Sequence, residues 1–411
     1  MKKLSLKLFP ILLSSLFIFP LIQESLSSFI IILICINTIC YKIVSKDFSF
    51  IDYKTALLTI PFWIIVVNSA FANNFNSSIT HIQHGLFFLI IPVFFSLIPK
   101  QFFTLEKIKS YITVLKNACL LIAIIYIISF FINHSSKDFL IVFQNVSSFR
   151  NYIYYDFNLF VIHPTYYTTL LILCAAHSFD LILREKKHAE LLYVTCFLLI
   201  TFLLLTRLNI ILLVIVLVGM LFIRGKLETK YKIVLTVIIM MFITALTWLT
   251  PGLKTRFAEL YNSYDRPPVN VSYDSTNIRK SILDCSINIS QENILFGVGF
   301  ENLQAKLNDC YSKNYESSFY ESQNYLTHNY YFYILASSGI IGFSFFIVYL
   351  FIIIRTCFRT NLFLFYIFLF NTLIVCFIED YLYRHYGVLY FNLLLICFIN
   401  YHKNDNISKL A

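Results

Sequence analysis

Three side chains have the type and placement for chemistry at a membrane surface. His328 sits in Thr327-His328-Asn329-Tyr330-Tyr331, where the polar segment 251–327 runs into an apolar stretch containing Ser338-Gly339-Ile340-Ile341-Gly342. A histidine titrates near neutral pH, so at such a boundary it can take up or return a proton. Arg207 is the single charge in residues 191–223, and a guanidinium at that depth costs a few kcal/mol unless it meets an anion. Arg279 lies in the polar segment. Two permanent cations and one titratable base are the set to be positioned.

The elements that must position them are membrane helices. The chain has 411 residues, of which 58% are hydrophobic, 18% aromatic and only 13% charged, with a mean hydropathy of +0.74. Soluble domains carry about 25% charged residues, and so few charges cannot coat a water-facing surface. Unpaired backbone groups in lipid cost several kcal/mol each, which leaves helices or closed barrels. The long Ile/Leu/Phe runs show no alternation and therefore predict helices. Twelve spans are expected, at about 8–22, 26–41, 55–71, 79–98, 117–132, 163–183, 191–206, 208–223, 233–250, 328–354, 361–378 and 386–401. The first follows Lys2, Lys3 and Lys7 like a signal peptide, but no small-x-small site comes after it, and it is read as retained. The expected division is 1–250 as an N-terminal bundle of about nine spans, 251–327 as a large outer loop, and 328–411 as three C-terminal spans.

Net charge of +10 raises the question of nucleic acid. Its distribution answers otherwise. With the N-terminus inside, the inner links hold Lys42, Lys46 and Lys54, then Lys100, Lys107, Lys109 and Lys116, and further clusters at 184–187, 224–232, 355–359 and 403–409. The short outer links hold Lys137, Arg150, Arg207 and Arg384. This is the positive-inside pattern, with both termini cytoplasmic, and it sets topology rather than marking a nucleic-acid footprint. Residues 191–223 must turn in the middle. As one helix they would run roughly 50 Å at about 1.5 Å per residue, against a hydrocarbon core of about 30 Å. Two short spans joined at Thr206-Arg207-Leu208-Asn209 satisfy both length and charge.

By the same parity, Arg207, Arg279, His328, His163, Glu379, Asp380, Arg384 and His385 face one outer compartment. His163 precedes Pro164-Thr165 and reads first as a helix start. His81 and His84, three residues apart, lack an evident third ligand and read as structural. Glu379-Asp380 could bind sugar or metal, with pairing to Arg384 or His385 the favoured reading. Gly297-Val298-Gly299 reads as a turn rather than a phosphate loop. Of ten cysteines, Cys285 and Cys310 fall in the large loop. They read as unpaired small residues, with a disulfide the alternative. Tyrosines at 311, 315, 320, 325, 330 and 331 suit either sugar stacking or an interfacial belt. No Asp-x-Asp occurs, which argues against a metal-dependent sugar-nucleotide transferase or a metal clamp.

The order of features resembles the O-antigen ligase/polymerase family of bacterial polysaccharide assembly. A buried Thr-Arg at a tight hairpin comes first, then an outer-loop arginine, Gly-x-Gly, and His328-Asn329-Tyr330 followed by Ser338-Gly339-Ile340-Ile341-Gly342. His163-Pro164-Thr165 before a span is a softer echo, and Leu208 stands where a small residue often follows the hairpin arginine. The resemblance implies an all-α, GT-C-like polytopic protein of the bacterial inner membrane with a periplasmic active site. It implies transfer of a glycan from a polyprenyl-pyrophosphate carrier to an acceptor hydroxyl without nucleotide sugars. No cofactor is expected, and the missing Asp-x-Asp leaves no metal expected. The acceptor would be a lipid A core or a second lipid-linked glycan. Arg207 and Arg279 would stabilise the leaving pyrophosphate, and His328 would act as base or orient the acceptor. His163, Asn329, Tyr330 and Tyr331 would contact substrate. The rival is a polysaccharide transporter or flippase. Transporters place ionisable groups at mid-membrane and show paired repeats. Here the polar residues gather on one face, with His177 the main internal exception.

Overall fold

A computed structural model describes residues 2–47, 51–71, 75–134, 147–160, 162–249, 251–268, 274–315, 317–321 and 323–408. Lys137 and Lys409 lie outside them. The described residues form helices and turns, with no strand among them. In chain order the helices are α1 (Lys2–Leu16), α2 (Glu24–Ser45), α3 (Tyr53–Leu57), α4 (Ile60–Ser69), α5 (Phe75–Gly85), α6 (Phe87–Ser96), α7 (Leu105–Asn133) and α8 (Ser147–Asn151). There follow α9 (Pro164–Glu185), α10 (Leu191–Leu203), α11 (Arg207–Arg224), α12 (Thr229–Leu249), α13 (Pro251–Asn262), α14 (Ser275–Glu292), α15 (Leu303–Asn314), α16 (Tyr330–Thr360), α17 (Phe363–Val375) and α18 (His385–Ser408).

Among the described residues seven helices are long and apolar enough to cross a membrane, α16 being the longest at 31 residues. Ile60–Ser69, His188–Leu203 and Phe363–Val375 are shorter apolar helices. The protein is thus a helical, polytopic membrane protein. The run expected at 55–71 is interrupted before Pro61, where α3 gives way to α4, because proline cannot donate to the preceding turn. The run 191–223 breaks between α10 and α11, as its length and charge require.

The chain forms two compact units. Met1–Leu13, Ser28–Ile108 and Glu259–Ala411 make the first; Ser14–Ser27 and Lys109–Ala258 make the second. In the first, α16 packs against α4, α14, α17 and α18, while α18 also covers α6. In the second, α9 is the buried centre, packed against α10 and α11. Lys116 is only 1% exposed there and pairs with Glu190 at 2.5 Å, under the ring of Tyr193. His177 Nε2 lies 3.2 Å from the Thr113 hydroxyl in the same unit.

The large loop is helical and stapled. Asp274 starts α14 by accepting from the backbone N–H groups of Thr276 and Asn277, while Asn277 accepts from the Asp274 N–H. This reciprocal cap satisfies donors that the first helical turn leaves open. Ile278, Ile282, Cys285 and Ile289 form the buried face. Cys285 is joined to Cys310 of α15 by a disulfide. The favoured expectation that these cysteines are unpaired is therefore corrected. Spacing in sequence carried no sign that α14 and α15 would pack face to face.

Candidate functional site

The first unit builds its site around a helix that is broken. Within α16, Gly339 adopts φ 64° and ψ −171°, far from helical values. Into that break docks the segment before α15. Val298 and Gly299 donate backbone N–H groups to the carbonyls of Ala336 and Ser337, both at 2.9 Å, and Ile340 N–H donates to Ile294 at 2.7 Å. Two backbones this close leave no room for side chains. A Cβ on Gly339 would lie 2.3 Å from the Leu295 carbonyl carbon, and one on Gly297, at φ 70°, equally close to that of Ser337. Asn68 of α4 clamps the junction by donating to the Ser337 carbonyl and accepting from Phe300 N–H. The Gly-x-Gly bends the backbone, as expected, and also pairs with α16 through the N–H groups of Val298 and Gly299.

At the head of α16 the chain turns through His328, a non-glycine residue at φ 44°. This left-handed conformation costs about 1–3 kcal/mol and persists only where surroundings enforce it. Asp380 enforces it. Its carboxylate accepts the Thr327 hydroxyl at 2.5 Å, His328 N–H at 2.9 Å and Asn329 N–H at 3.2 Å. Asp380 is 7% exposed. Burial pushes its carboxyl above the ordinary range, against the opposing pull of His328 and the Thr327 hydroxyl. Asn329 then caps α16, accepting from Tyr331 and Phe332 N–H groups.

That turn delivers the imidazole to Glu379. His328 Nδ1 lies 3.2 Å from one oxygen of Glu379, and the other oxygen accepts from Arg279 at 2.7 Å. The Glu379 side chain is 7% exposed, that of His328 25% and that of Arg279 39%. A carboxylate shut away from water is thus flanked by a cation and an imidazole that both reach it. The expectation that Glu379-Asp380 pairs with Arg384 or His385 missed these partners. The signal available was an acidic pair between two oily runs.

The other expected residues fall as follows. Tyr330 is 1% exposed and stacked on Tyr333, and the Tyr331 hydroxyl donates to the Leu373 carbonyl at 2.9 Å. Arg207 and His163 belong to the second unit. Arg207 opens α11 after a turn in which Leu205 adopts φ 52°, and its guanidinium donates to the carbonyl of Arg256. His163 caps α9, its Nδ1 accepting from Thr165 N–H at 3.2 Å. The two motifs meet through Asn209. It is fully buried and donates to the Thr165 carbonyl at 2.9 Å and the Thr168 and Thr169 hydroxyls at 2.6 and 3.2 Å. Among the described residues no group of three His, Cys, Asp or Glu is placed to hold a metal.

Beside the broken helix, α4 and α16 line an apolar groove of about 670 Å³, with Trp63, Val67, Phe71, Phe296 and Phe345 on its walls. Phe71 is 85% exposed and Phe296 70%, so the groove opens outward.

Fold and site together define a polytopic helical membrane protein with a histidine–glutamate–arginine centre at the mouth of a discontinuous span. Residues 192–347 match the sequence family described as O-Antigen ligase, which bears out the family resemblance. The match runs from α10, through the arginine hairpin and the large loop, into the broken α16. It supports a ligase- or polymerase-type role in O-antigen assembly, and with the apolar helices it supports a bacterial inner-membrane protein. No curated protein sequence matches the chain.

Proposed function

We propose that the protein is a metal-independent, GT-C-like glycosyltransferase with twelve membrane crossings, cytoplasmic termini and a periplasmic site. It moves a glycan from a polyprenyl-pyrophosphate carrier to an acceptor hydroxyl, either of a lipid A core or of a second lipid-linked glycan. The observation that carries the reading is the shared carboxylate of Glu379 between His328 and Arg279.

With Nδ1–H donating to Glu379, the His328 lone pair is on Nε2, the nitrogen that meets substrate. Nε2 removes the proton of the acceptor hydroxyl as oxygen attacks the anomeric carbon, and Glu379 stabilises the imidazolium that forms. The anomeric C–O bond breaks and the pyrophosphate leaves with added negative charge. Arg279, turned toward the site by the same glutamate, meets that charge, and interactions strengthening as charge develops accelerate the step. Arg207 is the second pyrophosphate-binding arginine in this reading. Asn329, Tyr330 and Tyr331 serve substrate binding by fixing the turn that carries His328. His163 serves it by starting the helix to which Asn209 anchors the Arg207 hairpin. The carrier's isoprenoid chain lies in the apolar groove between α4 and α16, which has no polar demand to satisfy in lipid.

The test is complementation of a deletion strain with His328→Ala, Arg279→Ala and Arg207→Ala, read from the lipopolysaccharide ladder. Loss of transfer in all three is expected, and full activity of His328→Ala ends the base assignment. Bare core with accumulated carrier-linked polymer marks a ligase; core capped with a single repeat marks a polymerase.

A further inference from the structure

A second cluster of polar rings lies next to the catalytic turn and is not used by the transfer step. Tyr383 sits at its centre. Its backbone N–H donates to the Asp380 carbonyl at 3.0 Å, so it is carried on the same connection as Glu379. His84 meets the Tyr383 ring edge-on at 4.6 Å between centroids, His81 lies at 6.1 Å and Tyr333 at 5.2 Å. His81 Nδ1 is also 3.3 Å from the Tyr333 hydroxyl. A third imidazole, His385, packs edge-on against Phe87 at 5.0 Å. His84 is exposed, while His81, Tyr383, His385 and Phe87 are half-buried.

The composition of this ridge narrows its occupant. The imidazoles are not arranged as a metal-ligand set among the described residues. An acyl chain would strip water from the imidazole nitrogens without replacing their hydrogen bonds, which is costly. A pyranose ring offers an apolar C–H face and an edge of hydroxyls. Tyrosine and histidine rings match both, giving an aromatic face to the first and donor or acceptor nitrogens to the second.

We propose that His81, His84, Tyr383 and His385 form a pyranose-binding subsite that holds a sugar ring beside the bond being made or broken. The subsite rests on the glycan-transfer reading above and adds to it where a sugar of the donor or acceptor is gripped.

The experiment compares full-length wild type with His84→Ala, Tyr383→Leu, Tyr383→Phe and Arg279→Ala in lipid nanodiscs. One arm measures binding of bare polyprenyl pyrophosphate and of the glycan-linked carrier extracted from cells. The other measures transfer as acceptor concentration is varied. His84→Ala and Tyr383→Leu should weaken binding of the glycan-linked carrier, or raise the acceptor KM, by about tenfold, with bare-carrier binding intact. The arm that responds identifies the sugar as donor's or acceptor's. Tyr383→Phe, which keeps a ring, should retain more affinity than Tyr383→Leu. Wild-type behaviour of His84→Ala and Tyr383→Leu in both arms would overturn the subsite. If Tyr383→Leu does not fold, His84→Ala at its exposed position decides alone. Arg279→Ala should lose both carrier forms; if it binds both normally, the pyrophosphate reading fails instead.

Discussion

The carboxylate of Asp380 accepts the backbone N–H of His328 at 2.9 Å, and through it a histidine is held at φ 44°. Glu379, the preceding residue, contacts the imidazole itself at Nδ1. Adjacent carboxylates therefore divide the work, one shaping the turn and one orienting the imidazole.

Asp380 predicts a pH dependence. Burial sets its folded-state pKa above the ordinary 3.8. Between those two values the folded chain holds more protons than the unfolded one, so stability falls as pH rises through the window and is level above it. Asp380→Asn cannot ionise and should flatten that slope. Unfolding midpoints of the solubilised protein, followed from about pH 3.5 to 7, test this; equal slopes in both proteins would refute it.

Glu379→Gln keeps the shape and removes the charge. Transfer should fall by about tenfold to a hundredfold while expression and unfolding midpoint stay near wild type. If Glu379 only supported the fold, stability would drop with activity, and the ratio of the two losses is the readout.

Gly339→Ala and Gly297→Ala should each cost roughly 2 kcal/mol or more, because both positions combine a left-handed φ with backbone at 2.3 Å from the added carbon. Gly219 of α11 has nothing within 4 Å of the same position. Its replacement by alanine should stabilise by about 0.5–1 kcal/mol. Thermal unfolding of the three variants in detergent would show opposite shifts, and a shared sign would defeat the account.

The disulfide closes a loop with a sequence separation of 25, which restricts the unfolded chain by about 3 kcal/mol or somewhat more. Cys285→Ser/Cys310→Ser should lower the unfolding midpoint and expose residues 275–314 to protease. Unchanged proteolysis of the reduced protein would show that packing alone holds α14 and α15.

Much of this protein could be read from residue order alone. The shortage of charge dictated a membrane protein, and continuous apolar runs dictated helices, because lipid satisfies no backbone group. Length against bilayer thickness forced a turn near Thr206, which the fold places at Leu204–Thr206 with Arg207 already in α11. His328 and Arg207 stood out as ionisable groups beside oil, and Arg279 by its place in the polar segment. Other features depended on contacts between distant segments, which local pattern does not encode. Gly-x-Gly and Ser-Gly-Ile-Ile-Gly were visible as motifs, but only the fold showed that one backbone docks into the break of the other. Cys285 met Cys310 only once α14 packed on α15. Glu379 took Arg279 and His328, 100 and 51 residues away in sequence, because a buried carboxylate binds whichever donors packing brings within reach.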